Sequence, residues 1–152
     1  MNINVREANY SDLEEMQELF LGAIKNIPNS DYSEKQTEAW ASTVKNKERW
    51  KSMLANQHVL IAEINLKIVG FGSLDRDYID FMYVHKDFLR KGIASKIFEG
   101  LQRKSIELGC NQLTSNVSKT ARPFFETKGF RIIKENKNLI NEVEIINYHM
   151  SQ

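Results

Sequence analysis

Only one of the 152 residues is cysteine, Cys110, and only two are proline, Pro28 and Pro123. A disulfide framework needs paired cysteines, so this chain must rely on a hydrophobic core. Its length permits one, because a chain of this size removes roughly two-thirds of its unfolded surface from water. No stretch of about 18 apolar residues occurs, and Met1-Asn2-Ile3-Asn4-Val5-Arg6-Glu7 lacks an apolar signal segment. The expectation is therefore a cytoplasmic chain with no membrane partner. Neither sign of charge prevails, with 21 basic against 20 acidic residues. No block of like charge is long enough to hold a polyanion, which argues against nucleic acid as a partner. Linkers, repeats and low-complexity tracts are missing too, so residues 1–152 read as a single domain.

What is present is strongly patterned. Ile3 and Val5 alternate as a short strand, and Ser11-Asp12-Leu13-Glu14 has the form of a helix capping box. Leu13, Met16, Leu19, Phe20 and Ile24 follow at helical spacing, predicting a helix to Asn26 that stops before Pro28. A second, polar helical stretch carries Trp40, Val44, Trp50, Met53 and Leu54, with a break near Lys45-Asn46-Lys47. His58 to Ile64, Lys67 to Leu74 and Tyr78 to Val84 read as an antiparallel meander. Ile93, Ile97, Leu101 and Leu108 mark a covering helix that Gly109 ends. A strand over Gln112 to Val117, a short helix over Pro123 to Lys128, and strands over Phe130 to Lys134 and Glu142 to Met150 complete the chain. The predicted order is βααβββαβαββ. Its class is α+β: a mixed, mostly antiparallel sheet of six to seven strands with helices on both faces.

The chemistry concentrates in Met82-Tyr83-Val84-His85-Lys86-Asp87-Phe88-Leu89-Arg90-Lys91-Gly92-Ile93-Ala94, a strand running through a basic loop into an amphipathic helix. The first turn of a helix has N–H groups without partners, and its dipole favours negative charge. Gly92 allows close approach of backbone to a phosphate, with Arg90 and Lys91 adding charge. The same residues also suit a plain strand-to-helix turn with a solvated basic rim. Known nucleotide loops do not fit: the P-loop pattern is absent, and Gly70-Phe71-Gly72 lies inside a strand. His58, His85 and His149 are scattered, so no metal site is expected, and no Gly-x-Ser-x-Gly elbow exists for a serine hydrolase.

Tyr83-Val84-His85, Leu89-Arg90-Lys91-Gly92-Ile93-Ala94 and Thr120-Ala121-Arg122-Pro123-Phe124-Phe125-Glu126-Thr127-Lys128-Gly129-Phe130 together resemble the GNAT superfamily of acetyl-CoA-dependent N-acetyltransferases. Tyr32-Ser33-Glu34-Lys35-Gln36-Thr37-Glu38-Ala39-Trp40 is similar to a segment of one branch of its small bacterial members. The family loop reads Gln/Arg-x-x-Gly-x-Gly/Ala. Leu89 replaces its first residue here, while Gly92 and Ala94 keep the backbone cradle.

The resemblance implies acetyl-CoA as cosubstrate and a small-molecule amine, less so a peptide, as acceptor; it leaves a homodimer open. It implies that the pyrophosphate lies on the amides of Arg90, Lys91, Gly92, Ile93, Ala94 and Ser95, next to Leu89, where the Tyr78–Val84 strand splays from its neighbour. The pantetheine arm would pair with backbone from Met82, Tyr83 and Val84, flanked by Asn116, Ser118, Phe124 and Phe125. Asp80, read as sharing a strand face with Tyr78 and Met82, is the candidate general base. The Val84 N–H is the candidate oxyanion donor. Family members often carry a tyrosine acid where this chain has Phe125, leaving Tyr83, Tyr148 or water to serve the leaving thiolate. Tyr32, Trp40 and Trp50 are the candidate acceptor wall. Bland roles stay open beside these: Asp80 as a strand-edge residue, Asn116 and Ser118 as turn formers, the tryptophans as packing. A non-catalytic acyl-CoA-binding module is the alternative function.

Overall fold

The β-branched and aromatic runs pair into one seven-stranded sheet in the computed structural model, which describes residues 2–152. The elements are β1 (Asn4–Glu7), α1 (Leu13–Lys25), α2 (Glu34–Ala41), α3 (Lys47–Asn56), β2 (His58–Ile64), β3 (Lys67–Asp75), β4 (Tyr78–Val84), α4 (Ile93–Glu107), β5 (Thr114–Ser118), α5 (Arg122–Thr127), β6 (Arg131–Ile140) and β7 (Val143–Ser151). The sheet order is β1-β2-β3-β4-β5-β7-β6. Every neighbouring pair is antiparallel except β4 and β5.

Three expectations change. The polar helical stretch breaks where expected, near Asn46, but into two separate α-helices, α2 and α3, with a 3₁₀ turn over Ser42–Lys45 between them, which adds one helix to the expected order. Asn46 separates them because its side chain accepts from the Arg49 N–H and starts α3 afresh. The N-terminal cap lies at Asn9 rather than Ser11: Asn9 accepts from the Ser11 N–H, and the Asp12 carboxylate takes the Asn9 N–H at 2.8 Å. Arg6 grips that carboxylate through two N–H groups and holds it below its ordinary range, so the box that forms is the one a cation reinforces. Finally, β6 runs six residues past Lys134, to Ile140. Its sequence there, Glu135-Asn136-Lys137-Asn138, has no apolar alternation because an edge strand needs no buried face.

The core has two layers, one on each face of the sheet. Ile93, Ile97, Phe98 and Leu101 of α4 cover one face. Gly70 and Gly72 of β3 permit this contact: a Cβ at Gly70 would sit 2.7 Å from Ile93 Cγ2, and one at Gly72 would sit 2.8 Å from Ile97 Cγ2. On the other face Met16 and Phe20 of α1 meet Trp50 and Met53 of α3 over Ile61, Phe71 and Phe81.

A β-bulge in β4 decides which layer its side chains join. Ser73 pairs with Phe81 and Leu74 with Ile79, so Asp80 is an extra residue without a partner across the ladder. The buried Ser73 hydroxyl accepts the Phe81 N–H at 3.1 Å. Ile79 joins the α4 layer and Phe81 the α1–α3 layer.

The tight α4–β3 contact predicts that Gly70→Val, which forces an isopropyl group into it, lowers stability by about 1–3 kcal/mol in urea unfolding. An unchanged unfolding midpoint would contradict the packing described.

Candidate active site

β4 and β5 pair only at Tyr78↔Thr114 and Ile79↔Ser115. The Ser115 hydroxyl clips the junction by donating to the Ile79 carbonyl at 2.7 Å. Beyond that point the strands part, and a cleft of about 1320 Å³ opens between them. The free edge of β4 is polar backbone. The His85 N–H donates to the Val69 carbonyl of β3 at 2.8 Å. By the two-residue alternation of a strand, Tyr83 also faces β3, while Met82 and Val84 direct their N–H and C=O groups into the cleft. Both line it.

The mouth of the cleft is the loop from Leu89 into α4. Arg90 has φ 59° and Gly92 φ 82°, so two residues within three adopt the left-handed region, one of them non-glycine. The first intrahelical bond is Lys96 N–H to Gly92 C=O at 3.1 Å. Among the described residues, none of the amides from Leu89 to Ser95 has an acceptor within the chain. Leu89, Arg90, Gly92, Ile93, Ala94 and Ser95 line the cleft. Lys91 is exposed and is not among the residues that line it.

Asp80 is the only carboxylate lining the cleft among the described residues. The expected sharing of a face by Tyr78, Asp80 and Met82 is corrected by the bulge. Asp80 turns toward α3, where Arg49 and Gln57, the residue that caps the helix, hold it, while Met82 packs with the α4 layer. Arg49 Nη2 donates to Oδ1 at 2.6 Å, and Arg49 Nη1 and Gln57 Nε2 both donate to Oδ2. The guanidinium also stacks over Phe81, 4.5 Å from the ring centroid. With its side chain only 9% exposed, Asp80 keeps one Oδ1 lone pair unassigned. Arg49 and Gln57 escaped the sequence reading. Their polar helix carried no motif, and the pairing spans more than twenty residues of chain.

Tyr83 lies among Phe20, Phe71 and Trp40, and burial there pushes its hydroxyl well above the ordinary phenol value. Burial raises Tyr78 as well, helped by the Asp80 charge and opposed by Asn116 and Arg49. Asn116 lines the cleft and accepts from Asn136. The Ser118 hydroxyl also lines it while accepting the Ala121 N–H in the turn before α5. Phe124 and Phe125 close the floor in edge-to-face contact, 5.6 Å between centroids.

The family model of the acetyltransferase (GNAT) domain matches residues 28–151. The chain belongs to the GNAT family of N-acetyltransferases. It is 33% identical over 149 residues to YafP of Escherichia coli (strain K12), described as an uncharacterized N-acetyltransferase, covering 98% of this chain and 95% of that one. A GCN5-related N-acetyltransferase from Rhodopseudomonas palustris, 29% identical, superposes with TM-score 0.95 over 100% of this chain and 96% of that one. The PaiA N-acetyltransferase of Thermoplasma acidophilum, solved with coenzyme A, has TM-score 0.81 over 100% of this chain and 99% of that one. At 16% identity that second likeness is one of fold.

Within this GNAT domain the three expected wall aromatics separate. Trp40 lines the cleft and meets Tyr32 edge to face. Trp50 does not; it is 1% exposed and packs against Phe20, Phe71 and Phe81, so it is a core residue. Its neighbour on α3, Arg49, lines the cleft instead. Tyr32 borders the cleft, but its hydroxyl donates to the Ile146 carbonyl at 2.6 Å and accepts the Lys119 N–H at 2.9 Å. It ties the segment before α2 to β7 and to the turn after β5. Tyr32→Phe leaves both backbone groups without that partner and is expected to cost about 1–3 kcal/mol of stability. A melting temperature equal to wild type would show that the clamp carries no load.

Proposed function

We propose that this GNAT enzyme transfers an acetyl group from acetyl-CoA to the amine of a small molecule by direct attack. The observation that supports it most is the row of unpartnered amides from Leu89 to Ser95 at the mouth of the split between β4 and β5. A diphosphate is the group such a row fits, with the α4 dipole and Arg90 adding favourable charge. An extended, amide-bearing pantetheine arm suits the free edge of β4 at Met82 and Val84 by main-chain pairing.

The amine nitrogen attacks the thioester carbonyl, forming C–N as C–S breaks. An alkylammonium with pKa near 10.4 must first lose a proton, and Asp80 accepts it on the remaining lone pair of Oδ1. Arg49 and Gln57 act as positioning residues by fixing the carboxylate plane. The Val84 N–H, already directed into the cleft, holds the developing oxyanion. The thiolate departs without a hydroxyl from Phe125. Leaving unprotonated at pH 7 costs about 2 kcal/mol for a thiol of pKa near 8.5, which slows the step without forbidding it. Burial makes the Tyr83 hydroxyl a weaker acid than the departing thiol, and Tyr148 is outside the lining, so we assign to water the relay that carries the proton shed by the attacking nitrogen to the thiolate, with Tyr83 at most a hydrogen-bond donor to it. The acceptor lies at the Tyr32–Trp40 end.

Phe125 is also the one feature that favours a non-catalytic acyl-CoA-binding module. Thiol release from acetyl-CoA across a panel of amines separates the two. The enzyme reading predicts turnover, and Asp80→Asn lowers it by a factor on the order of a hundred while acetyl-CoA affinity stays within error. Normal turnover by that variant would make Asp80 structural. Tight binding with no turnover of any amine would establish the module instead.

A further inference from the structure

We propose that the acceptor is a small amine that also carries a carboxylate, an amino-acid-like zwitterion, whose carboxylate is held by Arg49 and the side-chain amide of Asn147. The proposal rests on the acetyl-transfer reading above. It comes from a ladder of side-chain amides that crosses β5, β7 and β6 beside the cleft.

The polarity of that ladder is set by one backbone carbonyl. Asn138 Nδ2 donates to the Ile145 carbonyl at 3.1 Å, which fixes which end of the Asn138 amide faces β7. The same nitrogen donates to Asn147 Oδ1 at 3.0 Å. Asn136 Nδ2 donates to that oxygen as well, at 2.9 Å, and to Asn116 Oδ1 at 3.2 Å. Asn147 therefore spends its oxygen inward on two donors. Its Nδ2 makes no hydrogen bond among the described residues, and Asn147 lines the cleft. The free end of the ladder in the cleft is a pair of N–H donors.

Arg49 is the second donor. Two of its five N–H groups are committed to Asp80, and the remaining ones are available in the cleft that it lines. Against these stands a single carboxylate, Asp80, already paired. A polyamine, an aminoglycoside or a lysine-rich peptide would bring several positive charges to a wall with no unpaired anion, which is unfavourable in a partly dry site. A zwitterionic acceptor brings its own counter-charge. Its carboxylate oxygens meet N–H donors, and its ammonium is left for Oδ1 of Asp80.

The test compares matched pairs of acceptors that differ only in the carboxylate: leucine with isoamylamine, phenylalanine with phenethylamine, histidine with histamine, lysine with cadaverine, together with spermidine. Thiol release is read at saturating acetyl-CoA, and the melting temperature with and without acetyl-CoA is read on the same protein. At least one amino acid is expected to show kcat/KM about tenfold or more above its decarboxylated partner, the scale of one charge-assisted contact. Asn147→Asp keeps both inward hydrogen bonds, since a carboxylate accepts as the amide oxygen does, and replaces the outward donor with an acceptor. It is expected to bring that ratio to one or invert it. Equal or better turnover of decarboxylated amines or spermidine by wild type overturns the proposal, as does an unchanged ratio in Asn147→Asp. If acetyl-CoA raises the melting temperature and other amines react while every amino acid is inert, only the acceptor class is wrong. If acetyl-CoA produces no shift and no amine reacts, the acetyl-transfer reading falls and takes this proposal with it.

Discussion

Everything about the site depends on β4 and β5 pairing at two positions and then separating. A parallel pair that continued would bury the free edge of β4 in a ladder and leave no cleft. Ser115 holds the junction closed at Ile79. The bulge one residue later bends β4 and increases its twist at the position where the strands must diverge. The edge that is freed carries backbone N–H and C=O groups at Met82 and Val84, which an extended amide-bearing ligand can pair with.

The same bulge sets the electrostatics. It turns Asp80 onto the α3 face, where three N–H groups from Arg49 and Gln57 converge on the carboxylate. A buried charge without partners would be strongly unfavourable, and this one is matched by a cation that is itself stacked on Phe81. The arrangement gives the cleft a rigid carboxylate with one oxygen lone pair to spare. Around it the lining is aromatic and amide-rich rather than acidic, so recognition of an acceptor rests on directed hydrogen bonds more than on attraction of positive charge.

How much of this could be read in the sequence varied with the kind of signal. The meander β2 to β4 follows apolar and β-branched runs, and its boundaries at His58, Ile64, Tyr78 and Val84 coincide with the expected ones. The turn from β4 into α4 was legible too, because a glycine before a helix and bare first-turn amides are local features. The facing of Asp80 was not legible: one inserted residue changes the alternation, and nothing in Tyr78-Ile79-Asp80-Phe81-Met82 marks where the insertion falls. Trp40 and Trp50 could not be told apart, since both sit in polar helices and only tertiary packing sends one to the core. The amide ladder was hidden because its members lie on three strands, one of them an edge strand whose polar sequence did not announce itself. Asn9 displaced Ser11 as the cap with the help of Arg6, which lies only six residues before Asp12 but on β1, outside the four-residue motif.

In the proposed function the amides at the start of α4 form the diphosphate cradle of an acetyl-CoA cleft, and amide-resolved nuclear magnetic resonance of the ¹⁵N-labelled protein, titrated with acetyl-CoA, reads each of those amides. Saturable shifts are expected at Arg90 to Ser95 and at Met82 and Val84, with the Trp50 core and the Asn9 cap unmoved. Gly92→Val, which forces a β-branched side chain into a left-handed backbone at about 1–2 kcal/mol of strain, should weaken the titration. Shifts that saturate elsewhere, or none at all with acetyl-CoA in large excess, would contradict it.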